Sequence, residues 1–182
     1  MADIKIILIH GNGGCSAEDV WFPYVKNAFE SQGFSVIART FPDNVLARAL
    51  YWLPFLHDEL GADENTILIG HSSGAIAAMR YAETHKILGS VLVGTYWTDL
   101  GYESEKESGY FDAPWEWEKI KNNQQWSIVF ASTDDPFIPI SEPRFVAEKL
   151  GSQYFESRGD GHFMGQQFPE LVKAVLKKIQ AN

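Results

Sequence analysis

Residues 70–74 read Gly70-His71-Ser72-Ser73-Gly74, a G-x-S-x-G pattern with Ser72 at its centre. Such a pattern arises by chance, so its setting decides what it means. It follows the apolar run Thr66-Ile67-Leu68-Ile69 and opens the helix-forming run from Ala75 to Glu83. A strand, a sharp turn and a helix together lift a serine hydroxyl clear of a sheet as a nucleophile. Gly70 and Gly74 have no Cβ, so neighbouring chain can approach closely. The helix N-terminus adds unpaired N–H groups and positive potential. The backbone N–H of Ser73, directly after the nucleophile, is then one donor for an oxyanion. Helix capping explains one serine here but not both flanking glycines.

A serine hydroxyl needs a base, usually a histidine oriented by a carboxylate. Of the five histidines, His57 and His85 sit in helical patterns, His10 ends an apolar run and His71 lies inside the motif. His162 occupies Gly159-Asp160-Gly161-His162-Phe163, a glycine-rich loop between the last apolar run and the last helical pattern. A loop at that edge can reach Ser72. With chain order Ser, Asp, His, the acid lies between them. Asp134 and Asp135, in Ser132-Thr133-Asp134-Asp135-Pro136, both qualify, and both suit turn formation.

The second oxyanion donor is expected near Asn12, in His10-Gly11-Asn12-Gly13-Gly14. A dinucleotide-binding G-x-G-x-x-G fails there, because its third glycine position holds Ser16. A backbone N–H aimed at a developing oxyanion is typically worth about 2.7–4 kcal/mol.

These groups need a scaffold. Six short apolar runs, 4–10, 35–39, 66–70, 90–94, 126–131 and 153–157, lack strict alternation, as expected of strands covered on both faces. Helical patterns at 20–31, 45–60, 73–85, 141–150 and 169–180 lie between or after them. Alternating strands and helices imply an α/β, doubly wound, three-layer fold around a six-stranded parallel sheet. With strand order 2-1-3-4-5-6 the order reverses between the first and third strands, where ligands bind. That reversal sets the Asn12 loop beside Ser72. Neither a linker nor a repeat breaks residues 1–182, which are expected to form one domain.

One stretch departs from this rhythm. Residues 96–118 carry seven acidic side chains and seven aromatic ones against a single basic residue, Lys106. A long irregular segment inside a compact domain is commonly functional. The expectation is a small cap, with Trp97, Tyr110, Trp115 and, from the His162 loop, Phe163 lining a substrate pocket. Its charge suggests apolar or aromatic substrates bearing a nearby positive charge, such as amino-acid esters.

The composition sets outer limits. The 182 residues carry a net charge of −9, which argues against broad nucleic-acid binding and against docking on anionic membranes. The first apolar run is too short for a signal peptide or a membrane span. Cys15 is the single cysteine, so neither an internal disulfide nor a cysteine-based metal site can form. A reducing, cytoplasmic location with nuclear access is expected. The chemistry requires no cofactor and no metal, and a monomer is the default.

The chain resembles the α/β hydrolases and, more closely, the retinoblastoma-binding protein 9-like family of small serine hydrolases. The likeness runs nearly end to end, through Gly11-Asn12-Gly13-Gly14, Trp52-Leu53-Pro54-Phe55, the run from Ile69 to His85, Trp117-Glu118-Lys119-Ile120-Lys121, Ser132-Thr133-Asp134-Asp135-Pro136-Phe137 and Gly161-His162-Phe163. It implies a Ser72, Asp135 and His162 triad acting on small esters, amides or thioesters through an acyl-enzyme. It also selects the acid: α/β hydrolases often show D-x-x-[VI]-P here, which Asp135-Pro136-Phe137-Ile138-Pro139 fits and Asp134 does not. One departure concerns partners. Members that bind the retinoblastoma protein are credited with L-x-C-x-E, whereas this chain reads Leu60-Gly61-Ala62-Asp63-Glu64. The absent thiol argues against a role as a retinoblastoma-type pocket partner.

Overall fold

A computed structural model describes residues 4–181. Six strands, β1 (Lys5–Ile9), β2 (Ser35–Ala38), β3 (Thr66–His71), β4 (Gly89–Val93), β5 (Trp126–Ser132) and β6 (Gln153–Ser157), form one sheet in the order 2-1-3-4-5-6. Every neighbouring pair is parallel. The strands read from the sequence, and every expected helix but the one over 45–60, recur with end shifts of a few residues.

Side chains that alternate along a strand point to opposite faces, and here both faces are covered. Ile7, Ile9, Leu68, Leu92 and Val129 pack under α3 (Ser73–Ala82) and α6 (Ser141–Leu150). Ile6, Leu8, Ile67, Ile69, Val91 and Ile128 pack under α1 (Phe22–Glu30) and α7 (Pro169–Ala181). The result is the expected three-layer doubly wound architecture. Among the described residues no helix is long and apolar enough to cross a membrane.

The helix expected over 45–60 is shorter and broken. Helix α2 spans Ala49–Pro54 and widens into a π-helical turn at Phe55–Glu59. It starts late because Asp43 accepts from the Arg48 N–H and ion-pairs with its guanidinium, closing a turn in which Ala47 has φ +55°. Pro54 has no N–H to continue the ladder. Beyond it, Leu60 and Ala62 are buried, and the Ala62 carbonyl accepts from the Tyr81 hydroxyl. Two positions of the segment where a partner motif would lie, Leu60 and Ala62, are thus folded into the core, while Gly61, Asp63 and Glu64 are exposed.

Residues 96–118 hold one short helix, α4 (Glu103–Glu107), and the start of another, α5 (Trp117–Asn122). Arg80 on α3 staples this segment down. Its guanidinium donates to the carbonyls of Tyr110, Ala113 and Pro114, and lies 3.6 Å from the centre of the Trp115 ring. The Trp115 indole donates to the Trp97 carbonyl, and Trp97 stacks on Phe145 of α6. Glu142 accepts from the backbone N–H groups of Trp97 and Thr98 and from the Thr98 hydroxyl. Trp97, Phe111, Trp115 and Trp117 therefore pack on one another and on Phe145 and Arg80.

Candidate active site

The turn after β3 is as tight as its glycines imply. A Cβ on Gly70 would lie 2.3 Å from the Gly74 carbonyl oxygen, and one on Gly74 would lie 2.2 Å from that of Ile9. Both are backbone clashes, so no side chain fits at either position. Ser72 between them adopts φ +55°, ψ −121°, a strained conformation for a residue with a Cβ. Its side chain makes no capping hydrogen bond to α3. The capping role is therefore absent, and the side chain faces a cavity instead.

That cavity has a volume of about 380 Å³ and sits over the carboxyl ends of β1, β3 and β4. Ser72, His71, His162, Gly11 and Asn12 line it, with Cys15, Phe137, Ile138 and Met164 from surrounding loops. Tyr96, Leu100, Tyr102, Ser104 and Glu105 close it from the cap side.

His162 is held at two points. Its Nδ1 lies 2.7 Å from Asp135 Oδ2, and the two side chains are only 10% and 4% exposed. A carboxylate accepts, so Nδ1 carries the proton and the other ring nitrogen is free to accept one. Its backbone carbonyl accepts from His71 Nε2 at 2.8 Å. Asp135 is itself fixed, because its Oδ1 accepts from the backbone N–H groups of Phe137 and Ile138. Asp134 turns the other way. Its Oδ1 accepts from the Ser132 hydroxyl and from the N–H groups of Gly159 and Gly161, tying down the loop that carries His162. Those bonds, the Ser132 one foremost, hold its carboxyl below the usual range. Among the described residues no hydrogen bond joins Ser72 Oγ to His162, although both line one cavity. Such contacts often tighten only when substrate is bound.

Two backbone segments border the serine. The N–H of Ser73 belongs to the first turn of α3, where a helix leaves its donors unpaired. In the β1 loop, Gly13 and Gly14 donate to the carbonyls of Val45 and Asn44, which pins that loop beyond Asn12. A Cβ on Gly11 would sit 3.4 Å from the Ser72 Cβ, so the loop packs directly against the serine.

The remaining histidines near the sheet edge are neutral. Complete burial, followed by the proximity of His162, pushes His71 down to about 3. Burial also lowers His10, whose Nδ1 donates to the Gly11 carbonyl while its Nε2 accepts from the Phe41 N–H.

The four expected pocket residues lie elsewhere. Trp97 and Trp115 border a separate groove, occupied as they are in packing on Phe145 and Arg80. Tyr110 is buried, with only 1% of its surface exposed. Phe163 stacks on Phe168 on the α7 side of the sheet, facing a different hollow. Tyr96, Leu100, Tyr102 and Glu105 take their places, and no spacing in the sequence singles these out from the rest of the window.

Sheet order, strained serine and cavity together define an α/β-hydrolase. The chain belongs to the serine hydrolase family, which it matches over residues 6–174. It is 48% identical over 177 residues to the Rattus norvegicus protein named serine hydrolase RBBP9, covering 96% of this chain and 95% of that one. Its fold is similar to the crystal structure of the ydeN gene product from B. subtilis, with a TM-score of 0.87, 23% identity and coverage of 97% and 99%. It is also similar to the esterase RhEst1 from Rhodococcus sp., with a TM-score of 0.67, 17% identity and coverage of 98% and 91%. These two structural likenesses establish the fold alone. The protein is a serine hydrolase by family.

Proposed function

We propose that Ser72, His162 and Asp135 act as a triad that hydrolyses small esters, amides or thioesters through an acyl-enzyme. The observation that carries this is the 2.7 Å pairing of His162 Nδ1 with Asp135 Oδ2 in a cavity shared with the strained Ser72. Ser72 Oγ attacks the substrate carbonyl while the unprotonated ring nitrogen of His162 takes its proton. The backbone N–H groups of Asn12 and Ser73 receive the oxyanion. His162 returns the proton to the leaving group; water, deprotonated by the same nitrogen, then attacks the acyl group, and His162 passes that proton to Ser72 Oγ as the acid leaves. Asp135 keeps the imidazole in the required tautomer and stabilises its charged form.

The cavity favours compact apolar groups, since Leu100, Ile138, Phe137 and Met164 supply much of its wall. Of the seven acidic residues in the window, only Glu105 reaches it. Selectivity for cationic substrates, if present, rests on that one carboxylate.

Labelling with a fluorophosphonate probe tests the nucleophile. Wild-type protein should label at Ser72, and Ser72→Ala should not label. Equal labelling of the two would remove Ser72 from the mechanism.

A further inference from the structure

Among the described residues Glu105 is the one acid that lines the cavity, and its place is unusual. It lies on α4 in the cap, yet it is only 5% exposed. Among the described residues no cation pairs with it. Burying a carboxylate without a counter-ion costs stability unless hydrogen bonds replace its water. Two do so. Asn12 Nδ2 donates to Oε1 at 2.8 Å, and the Tyr96 hydroxyl donates to Oε2 at 2.7 Å. The Tyr96 oxygen in turn lies 3.3 Å from Ser73 Oγ, and with its own proton committed to Glu105 it accepts from that serine.

Both arms of this network end on Glu105, and they start from Asn12 and Ser73, the two residues proposed above to supply the oxyanion amides. The Asn12 arm matters most. Beyond Asn12 the β1 loop is fixed by the Gly13 and Gly14 amides; at Asn12 itself the carbonyl accepts from the Cys15 N–H at a long 3.4 Å, and the shorter restraint is the 2.8 Å side-chain bond to Glu105. The cap segment that carries Glu105 is bounded by left-handed positions at Leu100, Gly101 and Gly109. The carboxylate therefore joins the cap segment to the oxyanion loop.

We infer that Glu105 is a positioning residue for the hydrolysis: from the cap it grips the Asn12 side chain and so sets the Asn12 backbone N–H against the developing oxyanion. This rests on the Ser72 mechanism above. It makes the oxyanion site complete only while the cap is seated. Donor placement matters steeply, since a misplacement of about 1 Å can cost about 100-fold in rate.

The test compares wild type, Glu105→Ala, Asn12→Ala and the double variant on one ester and on its thiono counterpart, in which C=S replaces C=O. Each single variant should lower kcat on the ester by about 10- to 100-fold, with KM changed less than about threefold. The double variant should be no slower than the slower single, because both break the same contact. The preference for ester over thiono ester should shrink in all three, since a slackened site discriminates less between oxygen and the larger, weaker acceptor sulfur. A merely structural role would leave that preference unchanged. The proposal is overturned if Glu105→Ala keeps wild-type kcat, if the two losses multiply, or if the thiono preference stays at its wild-type value. Asn12→Ala carries the test alone if Glu105→Ala fails to fold. Fluorophosphonate labelling separates the two levels. If Ser72 does not label in wild type, the mechanism and this role fall together. If Ser72 labels and Glu105→Ala behaves as wild type, only the role of Glu105 falls.

Discussion

Replacing Asp135 by Asn separates the two candidate acids, and the structure sets its size. The Asp135 and His162 side chains are almost enclosed, so solvent screens their interaction little. When His162 takes the serine proton, its charge centre lies roughly 4 Å from the carboxylate charge, worth about 4 kcal/mol at an effective dielectric near 20. Losing that term alone slows the acylation step by about a thousandfold. Hydrogen bonding adds to it. Asp135 Oδ1 is held by the N–H groups of Phe137 and Ile138, so the carbonyl oxygen of the introduced amide belongs there. Its NH2 then faces His162 Nδ1 and drives the proton to the other nitrogen, where the base must be free. The expected fall in kcat/KM is about 10³ to 10⁴. Asp134→Asn keeps an oxygen for Ser132, Gly159 and Gly161 and should cost little by comparison. Steady-state hydrolysis of one activated ester by both variants, with circular dichroism to confirm folding, is the assay. Asp135→Asn within about tenfold of wild type, or a larger loss from Asp134→Asn, would refute the assignment of the acid.

Two further perturbations follow from the same surroundings. Gly94→Ala places a Cβ 3.3 Å from His162 Cε1 at a backbone φ of +57°, so kcat should fall about tenfold, with a loss of about 1 kcal/mol in stability read from chemical denaturation. The His71 imidazole stays neutral down to about pH 3, whereas in the unfolded chain it charges near its ordinary value of 6.5. As pH falls below 6.5 the unfolded state therefore binds a proton that the folded state refuses, and stability drops, by ~2 kcal/mol at pH 5. Urea unfolding of wild type and His71→Gln across pH 5–7 should show that acid-side slope flattening in the variant, and parallel slopes would dismiss it.

The sheet was legible because its strands are short apolar runs without alternation, and burial on both faces is the physical meaning of that pattern. Ser72 and His162 were legible for a related reason. Local chain geometry dictates their setting: the Gly70 and Gly74 approaches leave no room for a Cβ, and the His162 loop follows the last strand at the sheet edge. The choice between Asp134 and Asp135 was not local. Adjacent aspartates on one turn point in different directions, and only the D-x-x-[VI]-P likeness separated them. Their hydrogen bonds show why two acids stand together, one facing the imidazole and the other anchoring its loop.

The pocket was not legible, because composition cannot tell aromatic side chains that meet a ligand from those that meet one another. Trp97 and Trp115 were expected to line the substrate pocket. What covers them is Phe145 on α6 and Arg80 on α3, partners distant in sequence that no spacing rule links to the window. The acidity of the window misleads in the same way. Asp99 and Asp112 border the outer groove beside Trp97 and Trp115. Exposed carboxylates away from the cavity act on a substrate through water and salt, which screen charge within about 8 Å. A substrate at Ser72 therefore meets the field of Glu105 first, and that carboxylate already accepts from Asn12 and Tyr96. Its negative charge is committed to holding the site together before any substrate arrives.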